Sequence, residues 1–212
     1  AEDVGAHAAP ALLGSGATGV AVVPLQSWYH FGFLGGGPVV DMPKSHELRM
    51  MDSGCRWPSP LGSSSTSAEP ARFFAKCNEE ILSQALSAEG RDWLLGDESD
   101  GKENEDEDEA TAGKRQKRLP SERITQEAVA SGQRPPTGDG GARRAVISFS
   151  HFLPRAELHR THPSRLGDRL GDVEGSTLLG EQVARLSPDV HVFGHTHFTI
   201  DVTLGSTRFL QH

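Results

Sequence analysis

The chain has 212 residues and a formal net charge of −8, which argues against a general attraction to nucleic acid or to a membrane surface. Hydrophobic residues make up 35% of it, below the about 45–50% of ordinary globular domains, and its 24 glycines and 13 prolines indicate much loop. Two cysteines, Cys55 and Cys77, are too few for a disulfide framework or a zinc ribbon.

The composition predicts a cytoplasmic protein with reduced thiols. No apolar run reaches the roughly 18 residues of a membrane helix. The N-terminus lacks the basic stretch and apolar core of a secretory signal. Since the chain begins at Ala1 rather than at methionine, we expect a fragment or a processed form.

Residues 1–18 are rich in alanine and glycine, and we expect them to be weakly ordered. Val20 to Leu25 is a β-branched run that predicts a strand, with Ser27 to His30 at its C-terminal end. A helix is expected from Pro70, because proline suits a first helical turn. Its predicted core-facing apolar stripe consists of Phe73, Phe74, Cys77, Ile81 and Leu82.

The stretch 97–142 predicts a disordered insertion. Asp97 to Glu109 holds nine acidic residues and one lysine, and a Pro/Gly-rich segment follows. Such a composition offers too little apolar surface to offset the entropy of ordering the chain. The basic run Lys114 to Arg118 has two interpretations, a nuclear-localisation or nucleic-acid patch, or a solvated loop beside the acidic block. Residues 97–118 are also a candidate surface for a protein partner.

Regular structure is expected again from residue 143. Ala145 to Ser150 predicts a strand, Ser176 an N-cap for a helix that ends at Pro188, and residues 199–210 a hairpin around Gly205. Between helix and hairpin, Asp189 to Phe193 predicts a buried strand that ends in a turn.

Three histidines follow two of these strands: His151 follows the first, and His195 and His197 lie in the turn after the second. A strand–helix–strand unit brings both strand ends to one edge of a sheet, where ligands collect in α/β proteins. Neutral imidazole is the commonest metal ligand in proteins, so this pattern predicts a metal site. His7, His46, His159, His162 and His212 are interpreted as structural.

The sequences VISFSHFLPRAEL at 146–158 and HVFGHTHF at 191–198 resemble the calcineurin-like metallophosphoesterases. With GVAVVPLQSWYH at 19–30 and CRWP at 55–58, they resemble more narrowly a branch of plant and protist members. The resemblance covers residues 19–82 and 143–212, and the domain it implies is an incomplete one over 19–96 and 143–212.

The resemblance implies an α/β (α+β) fold, a partial phosphoesterase-type β-sandwich flanked by helices. It implies a site with two divalent metals, Fe, Mn or Zn, bridged by a carboxylate and water. His151 and His195 would bind one metal and His197 the other. The implied activity is hydrolysis of phosphate mono- or diesters by a metal-activated water; the substrate itself is not indicated.

The chain departs from the family in its first half, where the motifs Asp-x-His, Gly-Asp-x-x-Asp and Gly-Asn-His are absent. Two divalent cations about 4 Å apart repel strongly without a bridging carboxylate. We therefore expect the C-terminal part of a phosphoesterase, inactive alone and holding at most one metal, with no assignable catalytic acid. The alternative is a non-catalytic phosphoesterase-like binding or scaffold module whose charged loop contacts a partner.

Overall fold

The computed structural model describes residues 9–15, 19–41, 55–57, 59, 61, 68–87, 90, 144–160 and 171–212. The predicted insertion at 97–142 and the histidines at positions 7, 46 and 162 lie outside these residues. The described part is mixed α/β, with six strands and two longer helices. In chain order these are β1 (Ala11–Leu13), β2 (Val20–Pro24), α1 (Ala68–Leu86), β3 (Ala145–Phe149), α2 (Thr177–Leu186), β4 (Val190–Val192), β5 (Ile200–Leu204) and β6 (Thr207–Gln211).

The strands form one mixed sheet in the order β1-β2-β3-β4-β6-β5. The four central strands β2, β3, β4 and β6 are parallel, and β1 and β5 flank them as antiparallel edge strands. Strands from before and after the 97–142 stretch thus share one sheet. Because β3 and β4 are adjacent and parallel, their C-terminal ends meet at one edge, as the sequence predicted.

One face of the sheet forms the core beneath the two helices. Successive side chains of a strand point to opposite faces, so Ala21 and Val23 of β2 share this face with Val146 of β3. They belong to one buried cluster with Leu82 of α1 and Val183 of α2. Burial of this apolar surface holds the helices against the sheet.

The opposite face of the sheet is also apolar, but it is far less covered. Phe149 and Val192 are direct partners on β3 and β4, and 42% and 40% of their surfaces are exposed. Leu13 on the edge strand is 61% exposed. The half-buried apolar residues of this face are Val20, Val22, Pro24, Ile147, Val190 and Leu210. Toward β5 the face becomes polar, with exposed Asp201, Thr203 and Arg208. Parallel strands are normally covered on both faces, so this apolar face has the composition of an interior surface.

Helix α1 was predicted, although it begins at Ala68 rather than at Pro70, and its core-facing stripe was only partly right: Leu82 is buried in the core and Ile81 packs against it. Phe73, Phe74, Cys77 and Ile81 are only half-buried, whereas the buried positions are Ala68, Pro70, Ala71, Asn78, Leu82 and Ala85. The reason is a fully buried polar residue. Asn78 donates to Gln26 O and Gln182 Oε1 and accepts from Gln26 N, each at 2.8 Å. These three bonds orient the helix with Asn78, rather than its phenylalanines, toward the sheet.

Helix α2 and the hairpin follow the sequence prediction closely. The Ser176 side chain accepts from Leu179 N–H at the N-terminus of the helix. At the other end Ser187 adopts a left-handed conformation before Pro188. Gly205, at φ 63°, turns β5 into β6, a conformation that glycine adopts without a Cβ penalty. Strand β4 begins shortly after the end of this helix, and the predicted histidine turn lies at the C-terminal end of β4.

Candidate functional site

The backbone of His151 is fixed from two neighbouring strands. After β3 ends at Phe149, the hydroxyl oxygen of Ser27, beyond β2, accepts from the N–H groups of His151 and Phe152 at 3.1 and 3.2 Å. On the other side, Gly194 N–H donates to the His151 carbonyl at 3.0 Å. The His151 side chain is exposed at this edge of the sheet.

His195 and His197 lie in a turn of unusual backbone conformation. Their φ angles are 75° and 59°, in the left-handed region that non-glycine residues seldom occupy. Within the described residues Ser187, at the end of α2, is the other non-glycine residue with a positive φ. Strained backbone of this kind clusters at functional sites, so two such residues in one turn point to this edge.

The turn brings His195 against His151. His195 Nδ1 lies 3.3 Å from His151 Nε2, and the two ring centroids are 5.2 Å apart. Burial lowers the pKa of His195 to about 4, helped by the nearby charges of His151 and then His197 in their protonated forms. His195 is therefore neutral at physiological pH, the state in which an imidazole binds a metal.

His197 is not part of this close pair. Its side chain is exposed, although its ring is near enough to affect the pKa of His195. Across the described residues, no group of three or more histidine, cysteine, aspartate or glutamate side chains has a geometry that could hold a metal ion. The structure thus joins two of the three predicted ligands, and the metal role of His197 stays a prediction.

An aromatic group packs behind the histidine pair. The Phe152 ring lies 4.5 Å from the His195 ring and 4.9 Å from the His151 ring, between centroids. On its other side it meets Trp28 at 5.3 Å and Tyr29 at 5.5 Å. Phe152 is buried, so it limits the movement of both imidazoles and excludes water from one side of the pair.

The turn is also tied to the end of β6. The Thr196 hydroxyl donates to Gln211 Oε1 at 3.0 Å. Gln211 Nε2 and Trp28 Nε1 are buried and have no hydrogen-bond partner in the described structure. Unpaired buried N–H groups are uncommon in proteins, and both of these belong to residues that follow or end strands at this edge.

The sequence interpretation did not single out His191, which is fully buried in β4. Its Nδ1 lies 2.8 Å from Ser148 Oγ and its Nε2 lies 3.0 Å from Ser150 Oγ. Burial lowers the pKa of His191 to about 3, so the ring is neutral. A histidine at a core-facing strand position, in phase with Phe193, was the available sequence signal.

Two further histidines have structural partners. His30 is fully buried: its Nε2 accepts from Thr177 N–H at 3.0 Å, and its Nδ1 lies 3.0 Å from the Phe31 carbonyl. Desolvation by burial lowers the pKa of His30. His159 Nδ1 lies within hydrogen-bond distance of Glu174 Oε2, at 2.7 Å, in keeping with the structural interpretation. His30 thus anchors the start of α2, although it follows a strand at the same edge.

Comparisons with protein-family models, with curated proteins and with solved structures gave no match to this chain. Among the residues that the structure describes, no helix combines the length and apolar character needed to cross a bilayer.

Proposed function

We propose that this chain supplies the histidine half of a divalent-metal centre in a phosphoesterase that hydrolyses phosphate mono- or diesters. One observation carries the proposal: His151 Nε2 and His195 Nδ1 face each other at 3.3 Å at the C-terminal edge of two parallel strands. The neutral state of His195 and the strained backbone of its turn give further support.

The donor set fits one metal ion. Zinc–nitrogen bonds are about 2.0–2.1 Å long, so two imidazole nitrogens on one tetrahedral zinc lie about 3.3 Å apart. The separation of His151 Nε2 from His195 Nδ1 agrees with that value. A divalent ion there would neutralise charge on phosphoryl oxygens and lower the pKa of a water molecule. The complete family site would hold two such ions, Fe, Mn or Zn, with carboxylate ligands that the described residues do not bring to the pair.

The protein groups have separate roles in this proposal. His151 and His195 hold the cation, and Phe152 shields one side of the pair from water. His197, exposed beside them, would serve the second metal of a complete site. No described residue is assigned as the general acid.

The partly exposed apolar face of the described sheet supports the finer part of the fold proposal, a β-sandwich. Two packed sheets lie about 10 Å apart, with side chains of both inner faces interdigitating. Phe149 and Val192 present such an inner face directly behind the strands that carry the histidines. A second sheet bearing the missing carboxylate motifs would cover this face and complete the metal centre from the same direction.

The second candidate function is a non-catalytic phosphoesterase-like module with a charged interaction loop at 97–118. The observation that favours it is that the described residues bring only two metal-binding side chains together. Such a module would use the fold to present a surface and would not hydrolyse esters.

Cobalt titration of the purified chain, followed by visible absorption and calorimetry, separates these candidates. We expect one Co²⁺ per chain, at least 100-fold weaker binding in His151→Ala and His195→Ala, and unchanged binding in the exposed control His212→Ala. Added inorganic phosphate should shift the Co²⁺ bands, because a phosphoesterase centre must admit a phosphoryl oxygen to the metal.

Hydrolysis of 4-nitrophenyl phosphate and bis(4-nitrophenyl) phosphate with Mn²⁺ should be negligible for this chain alone. Two tightly bound metals with turnover would contradict the half-site. Absence of Co²⁺ binding, or Co²⁺ absorption bands that do not shift when phosphate is added, would refute the phosphoesterase proposal and favour the non-catalytic module.

A further inference from the structure

Three side chains of the core-facing sheet surface form a continuous polar line: Ser148, His191 and Ser150. Ser148 and His191 are register partners on β3 and β4, and both are fully buried. The Phe193 ring stacks on the His191 ring at a centroid distance of 6.4 Å, and the Phe209 ring meets it edge-on at 5.8 Å. A polar group in such a layer is costly unless its hydrogen bonds are complete, so the direction of each bond matters.

The direction of the bonds follows from one fixed point. Ser150 Oγ lies 3.0 Å from the Phe152 carbonyl, which can only accept, so the hydroxyl proton of Ser150 is directed there. Toward His191, Ser150 must then accept, and His191 Nε2 carries the proton. The neutral ring leaves Nδ1 as an acceptor, to which the Ser148 hydroxyl donates. The donor and the acceptor of every hydrogen bond in the line are therefore determined.

The end of this line is the loop that carries His151. The Phe152 carbonyl that accepts from Ser150 belongs to the residue after His151. Ser27 holds the same two residues from the side of β2, and Gly194 N–H binds the His151 carbonyl from the side of β4. The line thus adds a third anchor: it runs from Ser148 on β3 to His191 on β4, the strand that leads to His195, and returns to the His151 loop through Ser150.

We propose that His191 is a positioning residue that passes a hydrogen bond through Ser150 to the His151 loop, and so sets the separation of His151 and His195. An apolar side chain would fill the core position of His191 without needing partners, so the polar line points to a role beyond filling space. The proposal deepens the metal-site function and rests on it for its consequence, but the positioning itself is a property of the metal-free chain.

Four variants of the full chain isolate this role. Ser150→Ala removes the link, and His191→Asn keeps a polar group near Nδ1 but cannot reach Ser150. His191→Gln restores an N–H group near the position of Nε2. Leu179→Ala, in the α2 core, is a control for general loss of stability.

The metal-free measurement is amide hydrogen exchange at Gly194, whose N–H binds the His151 carbonyl. The exchange rate at Gly194 is first corrected for the global stability of each variant. Relative to the wild type, the corrected rate should be about fivefold higher in Ser150→Ala and His191→Asn, as expected for one lost hydrogen bond. His191→Gln and Leu179→Ala should show no excess. Nitrogen NMR of the wild type should find the His191 proton on Nε2. Exchange that follows global stability in all four variants, or a proton on Nδ1, would overturn the proposal.

Cobalt affinity then tests the consequence for the site. Loss of a residue that orients a metal ligand typically weakens binding about 10–100-fold. We expect at least tenfold in Ser150→Ala and His191→Asn, with recovery in His191→Gln; equal affinity in all variants would count against positioning. A wild-type chain that binds no Co²⁺ would refute the proposed function, whereas the exchange data would still decide the role of His191.

Discussion

Replacement of His191 by glutamine should make the protein markedly less sensitive to acid. Burial lowers the pKa of His191 in the folded chain to about 3, whereas an unfolded chain has the ordinary value of about 6.5. At pH values below about 6.5, His191 therefore binds a proton in the unfolded chain but not in the folded chain. The free energy of unfolding therefore falls as the pH falls from about 6.5 toward 3.

The size of the effect follows from the pKa difference. At pH 5 the medium is about 1.5 units below the ordinary histidine pKa, and each unit corresponds to about 1.4 kcal/mol. The wild type should lose about 2 kcal/mol of stability between pH 7 and pH 5 through this one residue. Glutamine does not titrate between pH 7 and pH 5, so His191→Gln should not lose this contribution to the free energy of unfolding. At pH 7 the variant should be less stable than the wild type.

Urea unfolding at pH 7 and pH 5, followed by circular dichroism, measures the effect. The comparison uses the difference between the two proteins, so that titrations common to both cancel. His212→Gln, which removes an exposed histidine, should keep the wild-type pH dependence. Equal losses in the wild type and His191→Gln would show that His191 does not resist protonation, and the argument from burial would fail.

The remaining predictions concern the packing that positions the site. Asn78→Ala should lower the free energy of unfolding by about 3 kcal/mol, because it removes all three hydrogen bonds of a fully buried side chain and leaves Gln182 Oε1 without this donor in the core; equal urea midpoints for variant and wild type would contradict this. Gly175→Ala should cost about 3 kcal/mol, since its Cβ would lie 2.4 Å from both the Leu153 carbonyl oxygen and the Phe33 ring. Gly35→Ala, where a Cβ meets open space, is the matched control, and a similar melting temperature for both would refute the packing argument.

The sequence predicted the elements whose signals are local. Ser176 at the start of α2, Pro188 after its end and Gly205 in the hairpin each act within a few residues, and the structure has them as predicted. Strand β1 carried no such signal: it is three residues long and exists through its antiparallel pairing with β2. The orientation of α1 depends on hydrogen bonds from Asn78 to distant segments, which periodicity cannot reveal.

The candidate site also combines features that the sequence predicts with features that it does not. His151 and His195 could be expected to converge, because parallel neighbouring strands end at one edge of a sheet. The positive φ angles of His195 and His197 could not be expected, since few non-glycine residues adopt that conformation even though histidine is enriched in it. The polar line through His191 required the register that pairs it with Ser148, and register is set by the whole sheet.

What distinguishes the proposed site histidines from the structural ones is the partner of each ring nitrogen. His30 has a backbone N–H and a carbonyl, and His159 has a carboxylate, so these rings complete the fold. His151 and His195 instead direct nitrogens at each other. Two neutral imidazoles in this arrangement can share one N–H hydrogen bond or bind one cation. Burial lowers the pKa of His195 to about 4, so this ring keeps a nitrogen lone pair at neutral pH. A divalent ion, which bonds to both nitrogens at once, is the occupant that we propose for this pair.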